Sequence, residues 1–177
     1  MKSKLLRSVI GGTLLLTLTA CGDAEVQKVN GEKQEESAPK EETTQPEFYK
    51  LGETISVDGM EVTVHSASWG TPVAGVEPQG GKVLRLEVTA TNNSSDNGFI
   101  DSTEFDVATP DGTMAEEYFG NDDANMFGGE IKKSKQIKGV LEFDVTEADF
   151  YEVYYEPSFT LKENAEVKWK VEKSEVK

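Results

Sequence analysis

Cysteine occurs once in these 177 residues, at Cys21, and histidine once, at His65. One imidazole and one thiol cannot complete a zinc shell of the usual His and Cys type. No disulfide can form within the chain, so its fold must stand on a hydrophobic core. Positive charge is scarce: 18 Lys and Arg against 33 Asp and Glu leave a formal charge of −15. That balance disfavours nucleic-acid partners, whose phosphates demand a cationic footprint, and attraction to anionic lipid head groups. A long apolar run is missing too. Residues 8–20 form the leading one, short of the ~20 residues that a spanning helix needs.

What the chain does carry begins with an address. Met1, Lys2, Ser3, Lys4, Leu5, Leu6 and Arg7 make a short basic segment ahead of that apolar run, the shape of a secretory signal peptide over residues 1–20. Leu18, Thr19, Ala20, Cys21 and Gly22 then resemble the lipobox of bacterial lipoproteins, which implies diacylglycerol, and a possible further N-acyl chain, on Cys21. Two or three acyl chains on one residue hold a bilayer stably where one does not. The expected location is the outer face of a cell membrane, with the lipid anchor as the membrane contact. Loss of Lys2, Lys4 and Arg7 on cleavage would take the charge from −15 to −18.

Residues 21–47 follow as a linker. After Cys21 it holds eight acids and three lysines among Gln, Ser, Thr and Ala, with no aromatic residue. Such a composition buries too little apolar surface to offset its ordering entropy, so a disordered acidic tether is expected. Its 26 residues from Gly22 would span about 30 Å as a coil.

From Phe48 onward the pattern has period two. Met60, Val62 and Val64 alternate with Glu61, Thr63 and His65. Leu84, Leu86, Val88 and Ala90 alternate with Arg85, Glu87 and Thr89. Ile137, Gly139, Leu141, Phe143 and Val145 alternate with Lys138, Glu142 and Asp144, Val140 being an exception, and Val167, Trp169 and Val171 alternate with Lys168 and Lys170. Asp58 and Gly59 stand where a tight hairpin with positive φ at both turn positions is favoured. Turns are expected at residues 92–98 and 110–112, and one helical turn at 146–149, with Thr146 as its cap. About seven short strands across residues 48–177 fit an all-β fold, an immunoglobulin-like antiparallel sandwich, with a small barrel as the alternative.

The runs at residues 49–59, 82–94, 105–112 and 139–145 resemble an uncharacterised family of Gram-positive envelope lipoproteins, whose members are sometimes mislabelled as telomeric repeat-binding factors. The resemblance implies an immunoglobulin-like domain similar to small secreted mycobacterial antigens, and it transfers no catalytic residue. One departure is local: the family commonly has a Pro-Gly turn where this chain reads Lys132, Lys133, Ser134 and Lys135.

Candidate chemistry is sparse. His65 falls on an outward strand face with no Gly-x-Ser-x-Gly elbow in the chain, so a general base is not expected. Glu104 with Asp106, and Glu142 with Asp144, are two apart and expected on one strand face, a spacing that an acidic composition produces unaided. Residues 75–82 fail as a phosphate loop, because Lys82 comes one place late and a strand follows. The most unusual stretch is 116–130. Asn121, Asp122, Asp123 and Asn125 are weak calcium candidates, since Met126 and Lys132 occupy the positions where such a loop needs Gly and Glu. Tyr118, Phe119, Met126 and Phe127 either form an exposed recognition patch or cap the core. No catalytic set and no cofactor beyond the lipid are expected. The reading is a binding or protein-interaction module for an envelope protein or glycan, a passive or stress-related lipoprotein being the alternative and a hydrolase a distant third.

Overall fold

The structure, a computed structural model, describes residues 24–29, 48–120, 126–160, 162–163 and 165–177. Cys21 and the calcium candidates Asn121, Asp122, Asp123 and Asn125 lie outside the described residues. Twelve strands appear in it: β1 (Val26–Lys28), β2 (Tyr49–Lys50), β3 (Thr54–Val57), β4 (Met60–Gly70), β5 (Lys82–Asn92), β6 (Gly98–Asp101), β7 (Phe105–Ala108), β8 (Glu116–Glu117), β9 (Gly128–Ile131), β10 (Lys135–Val145), β11 (Phe150–Tyr155) and β12 (Val167–Glu172). One sheet has the order β1-β3-β4-β5-β10-β8, a second β2-β12-β11-β7, and β6 with β9 forms a separate ribbon. All pairs are antiparallel except β2 on β12. This is the all-β sandwich that the alternation implied.

The period-two pattern works as expected where both sheets face inward. Val62, Leu84, Leu86, Val153, Val167, Trp169 and Val171 are buried, and Tyr49 and Phe105 join the same core. Phe105 stacks on Tyr155 with centroids 4.8 Å apart, and Trp69 meets Tyr151 edge-on at 6.2 Å, geometries that add to plain area burial. The 58–59 hairpin forms as its sequence requires, with φ of 47° at Asp58 and 87° at Gly59. In place of Pro-Gly, the 132–135 turn uses Ser134 at φ 59° and is closed by the Lys135 amide donating to the Lys132 carbonyl at 3.0 Å.

Two expectations need correction. Residues 146–149 make no helical turn. Instead the Tyr151 hydroxyl accepts from the Ala148 amide at 3.2 Å and donates to the Thr146 carbonyl at 3.1 Å, which satisfies an extended backbone. The helical turns are short 3-10 segments at Ser102–Glu104, capped by Asp101, and Lys173–Glu175. The second correction concerns residues 24–29 of the expected tether, which dock on the sandwich. β1 pairs with β3 in the register Val26 to Val57 and Lys28 to Ile55, and Ala24 is buried. Paired main-chain groups on a free sheet edge supply the ordering that the segment's poor composition does not.

At His65 β4 carries a bulge, between the Val64 and Ser66 registers. Beyond it Val176 bridges Ala67 in parallel, and the Trp69 amide donates to the Lys177 carbonyl at 2.9 Å, so the last residues of the chain extend the sheet edge that β3 leaves.

Candidate functional site

β8 is only two residues long, set against Phe143 and Asp144 of β10. The next residue, Tyr118, continues that edge: its amide donates to the Glu142 carbonyl at 2.8 Å and its ring is almost wholly buried. The Tyr118 hydroxyl accepts from the Val73 amide at 2.8 Å and donates to the Val76 carbonyl at 2.6 Å, fastening the 71–80 loop to the sheet. Farther along the loop, the Gln79 and Gly80 amides donate to the Asp144 carboxylate at 2.5 and 2.8 Å. Gly80 lies so close that a Cβ there would come within 2.4 Å of the Val145 carbonyl carbon.

Under this cover sits an ion pair. Arg85 and Glu142 are cross-strand partners, with Nη1 2.6 Å from Oε1, and the Glu142 side chain is fully buried. Alternation placed Glu142 outward with Asp144; the outward face is right, but Tyr118 and the 71–80 loop roof it over. Glu104 and Asp106, by contrast, do not share a strand face. Glu104 belongs to the 3-10 turn and turns inward, where it accepts from the Ser158 amide at 2.8 Å, while Asp106 is exposed.

The four apolar candidates divide. Phe127 packs at 5.9 Å, edge to face, on Phe105, in space left by Gly139. Phe127 and Tyr118 are 3% and 4% exposed, whereas Phe119 is 68% and Met126 78% exposed. Two inward side chains therefore hold the ends of the stretch while their neighbours project outward. Beside them, Glu117 has a buried Oε1 without a hydrogen-bond partner among the described residues. Burial, then the carboxylates of Asp101 and Asp106, push its pKa up. No three His, Cys, Asp or Glu side chains gather with metal-binding geometry among the described residues.

His65 is exposed at the bulge, its Nε2 2.8 Å from the Thr89 hydroxyl. Lys82, the residue that made 75–82 fail as a phosphate loop, lies 4.7 Å over the Trp69 ring and 3.5 Å from Glu147. A shallow cleft of about 320 Å³ opens between the 79–80, 113–116 and 144–146 segments, and Asp144, which lines it, is committed to loop amides. The chemistry available at this edge is apolar contact rimmed by carboxylates.

Residues 49–167 match the family described as a domain of unknown function, DUF4352. The chain belongs to that family. As a DUF4352 domain it is similar to the Bacillus subtilis protein ycdA, described as a candidate lipoprotein, at 25% identity and a TM-score of 0.57 over 66% of this chain. The match spans 37% of the length of ycdA. The DUF4352 chain also shares its fold with the Bacillus subtilis yjhA protein (19% identity, TM-score 0.52, covering 71% of this chain and 98% of yjhA). A third likeness is to MPT63, a secreted protein of Mycobacterium tuberculosis (19% identity, TM-score 0.53, covering 72% and 99%). No curated protein matches the DUF4352 chain.

Sequence reasoning did not find the Arg85–Glu142 pair or the Tyr118 clasp. One signal existed: Arg85 is the only arginine after Arg7 in a lysine-rich chain, and a planar fork suits a buried carboxylate partner better than an ammonium does. The clasp had no sequence signal, because its acceptors and donors are backbone groups 42 and 45 residues away.

Proposed function

We propose that the chain is a lipid-anchored domain of the cell envelope that binds a partner without transforming it, through the apolar side chains flanking residues 121–125. The observation that carries this reading is the exposure of Phe119 and Met126, at 68% and 78%, on an edge held by buried Tyr118 and Phe127. A rigid scaffold that projects large apolar groups beside carboxylates is suited to recognising an envelope protein or glycan. Anchoring rests on the signal pattern ending at Cys21, and the likeness to ycdA supports it. Catalysis is disfavoured by the commitments of the carboxylates: Glu142 to Arg85, Glu104 to Ser158 and Asp144 to the 79–80 amides.

Photo-crosslinking from positions 119 and 126 in the producing cell tests the binding role. A discrete adduct from both positions, and none from exposed Glu61-side positions such as Glu87, is expected. Phe119→Ser with Met126→Ser should abolish a partner's retention while leaving the thermal midpoint unchanged, whereas Phe127→Ser should lower it steeply, as loss of a buried aromatic costs about 3–5 kcal/mol. Equal labelling from all positions would support a passive lipoprotein instead.

A further inference from the structure

The docking of β1 changes how far this domain can stand from a bilayer. The Ala24 amide donates to the Glu163 carbonyl at 2.9 Å, the Glu25 amide to Asp58 Oδ1 at 3.0 Å, and the Asp58 amide to the Glu25 carbonyl at 3.0 Å. Val29 completes the row through the Thr54 carbonyl at 2.8 Å. Chain attached to the domain therefore begins at Ala24, three residues after Cys21. At ~3.3–3.6 Å per residue, the covalent path between them cannot exceed about 11 Å. A free tether as far as residue 47 would instead average about 30 Å.

The point of attachment lies at one end of the sandwich. Asp58 and Gly59 form the turn beside it, the Asn93 amide donates to the Gly59 carbonyl at 2.8 Å, and the Ser134 amide to the Asn92 carbonyl at 2.7 Å. Lys162 reaches Asp58 at 3.0 Å from the loop before β12. The 58–59, 92–98 and 132–135 turns thus share that end, whereas the 109–113 turn and the cleft beside it belong to the other. β5, with 11 residues, spans about 35 Å between the two ends.

We infer that the domain is held end-on against the lipid surface by the short Cys21 to Ala24 link, with the 58–59, 92–98 and 132–135 turns facing the head groups. The inference rests on the lipid-anchor reading of Cys21. The facing end includes Lys132, Lys133 and Lys135, exposed and without an ion pair among the described residues, near Asp96 and Glu130. Net charge disfavours anionic lipid, but this turn, at the same end of the sandwich as the link and four strands across the sheet from β1, offers phosphates three cations. Tether length rather than charge sets the proximity. The opposite end, with the 320 Å³ cleft, points away from the membrane.

Full-length protein, acylated in the producing cell, is prepared as Ser95→Cys and as Thr113→Cys, both exposed positions. Each is labelled with a donor dye and placed in phosphatidylcholine and phosphatidylglycerol vesicles carrying a head-group acceptor. Energy transfer should be greater from position 95 than from 113. Gln27→Pro, which removes an N–H within β1, should erase that difference without altering fatty-acid incorporation at Cys21. Equal transfer from both positions with Cys21 acylated overturns the inference and leaves the anchor reading intact. Persistence of the difference in Gln27→Pro overturns the role of β1, and absence of fatty acid on Cys21 overturns both readings.

Discussion

At the scale of single residues, the acids of this chain differ by what covers them. Glu117 is pushed up in pKa by burial first and by Asp101 and Asp106 second. A carboxyl whose folded pKa is raised holds its proton more tightly folded than unfolded, so its contribution to stability is present at low pH and lost as pH rises through the unfolded and then the folded pKa. Glu117→Gln should therefore raise the melting midpoint at pH 7, and the gain should shrink on acidification to below the ordinary carboxylate range; a pH-independent effect would contradict this. Glu142 differs in having a partner, since its fully buried side chain is paired with Arg85. Glu142→Ala should destabilise by about 3 kcal/mol, the lower part of the range for breaking a buried pair because Arg85 keeps some solvent contact, as read by chemical denaturation.

Elements owe their placement to partners that are far away in sequence. β1 has two exposed residues of its three and buries little of itself, yet it pairs fully with β3. Gln27→Pro should cost about 1–2 kcal/mol for lost ladder bonds, and the Asp58 amide, which donates to Glu25, should exchange with solvent faster while the β11 and β12 amides keep their protection. The alternation of strands β4, β5 and β12 was legible because each has one face on the core. β10 was legible only in part, since Glu142 sits on its outward face and is buried from outside by a clasp 24 residues before it in the chain. The expected turn at 146–149 failed for a related reason: the Tyr151 hydroxyl supplies the bonds that a helical turn would have made internally.

The whole molecule carries its acidity as a fold without a disulfide. With a formal charge of −15, self-repulsion works against the compact state and salt relieves it. Raising NaCl from a few tens of millimolar to about 0.5 M, where the screening length falls to roughly 4 Å, should raise the melting midpoint. A falling midpoint would mean that surface ion pairs such as Lys173 with Glu147 outweigh the repulsion.

Composition and periodicity by themselves determined the all-β class and the 58–59 hairpin, because each depends on residues adjacent or two apart in the chain. Tertiary structure alone decided which of Tyr118, Phe119, Met126 and Phe127 face inward, that Glu142 is roofed over and that β1 docks on β3. Those outcomes depend on which distant backbone groups arrive beside each residue, and no local pattern encodes that.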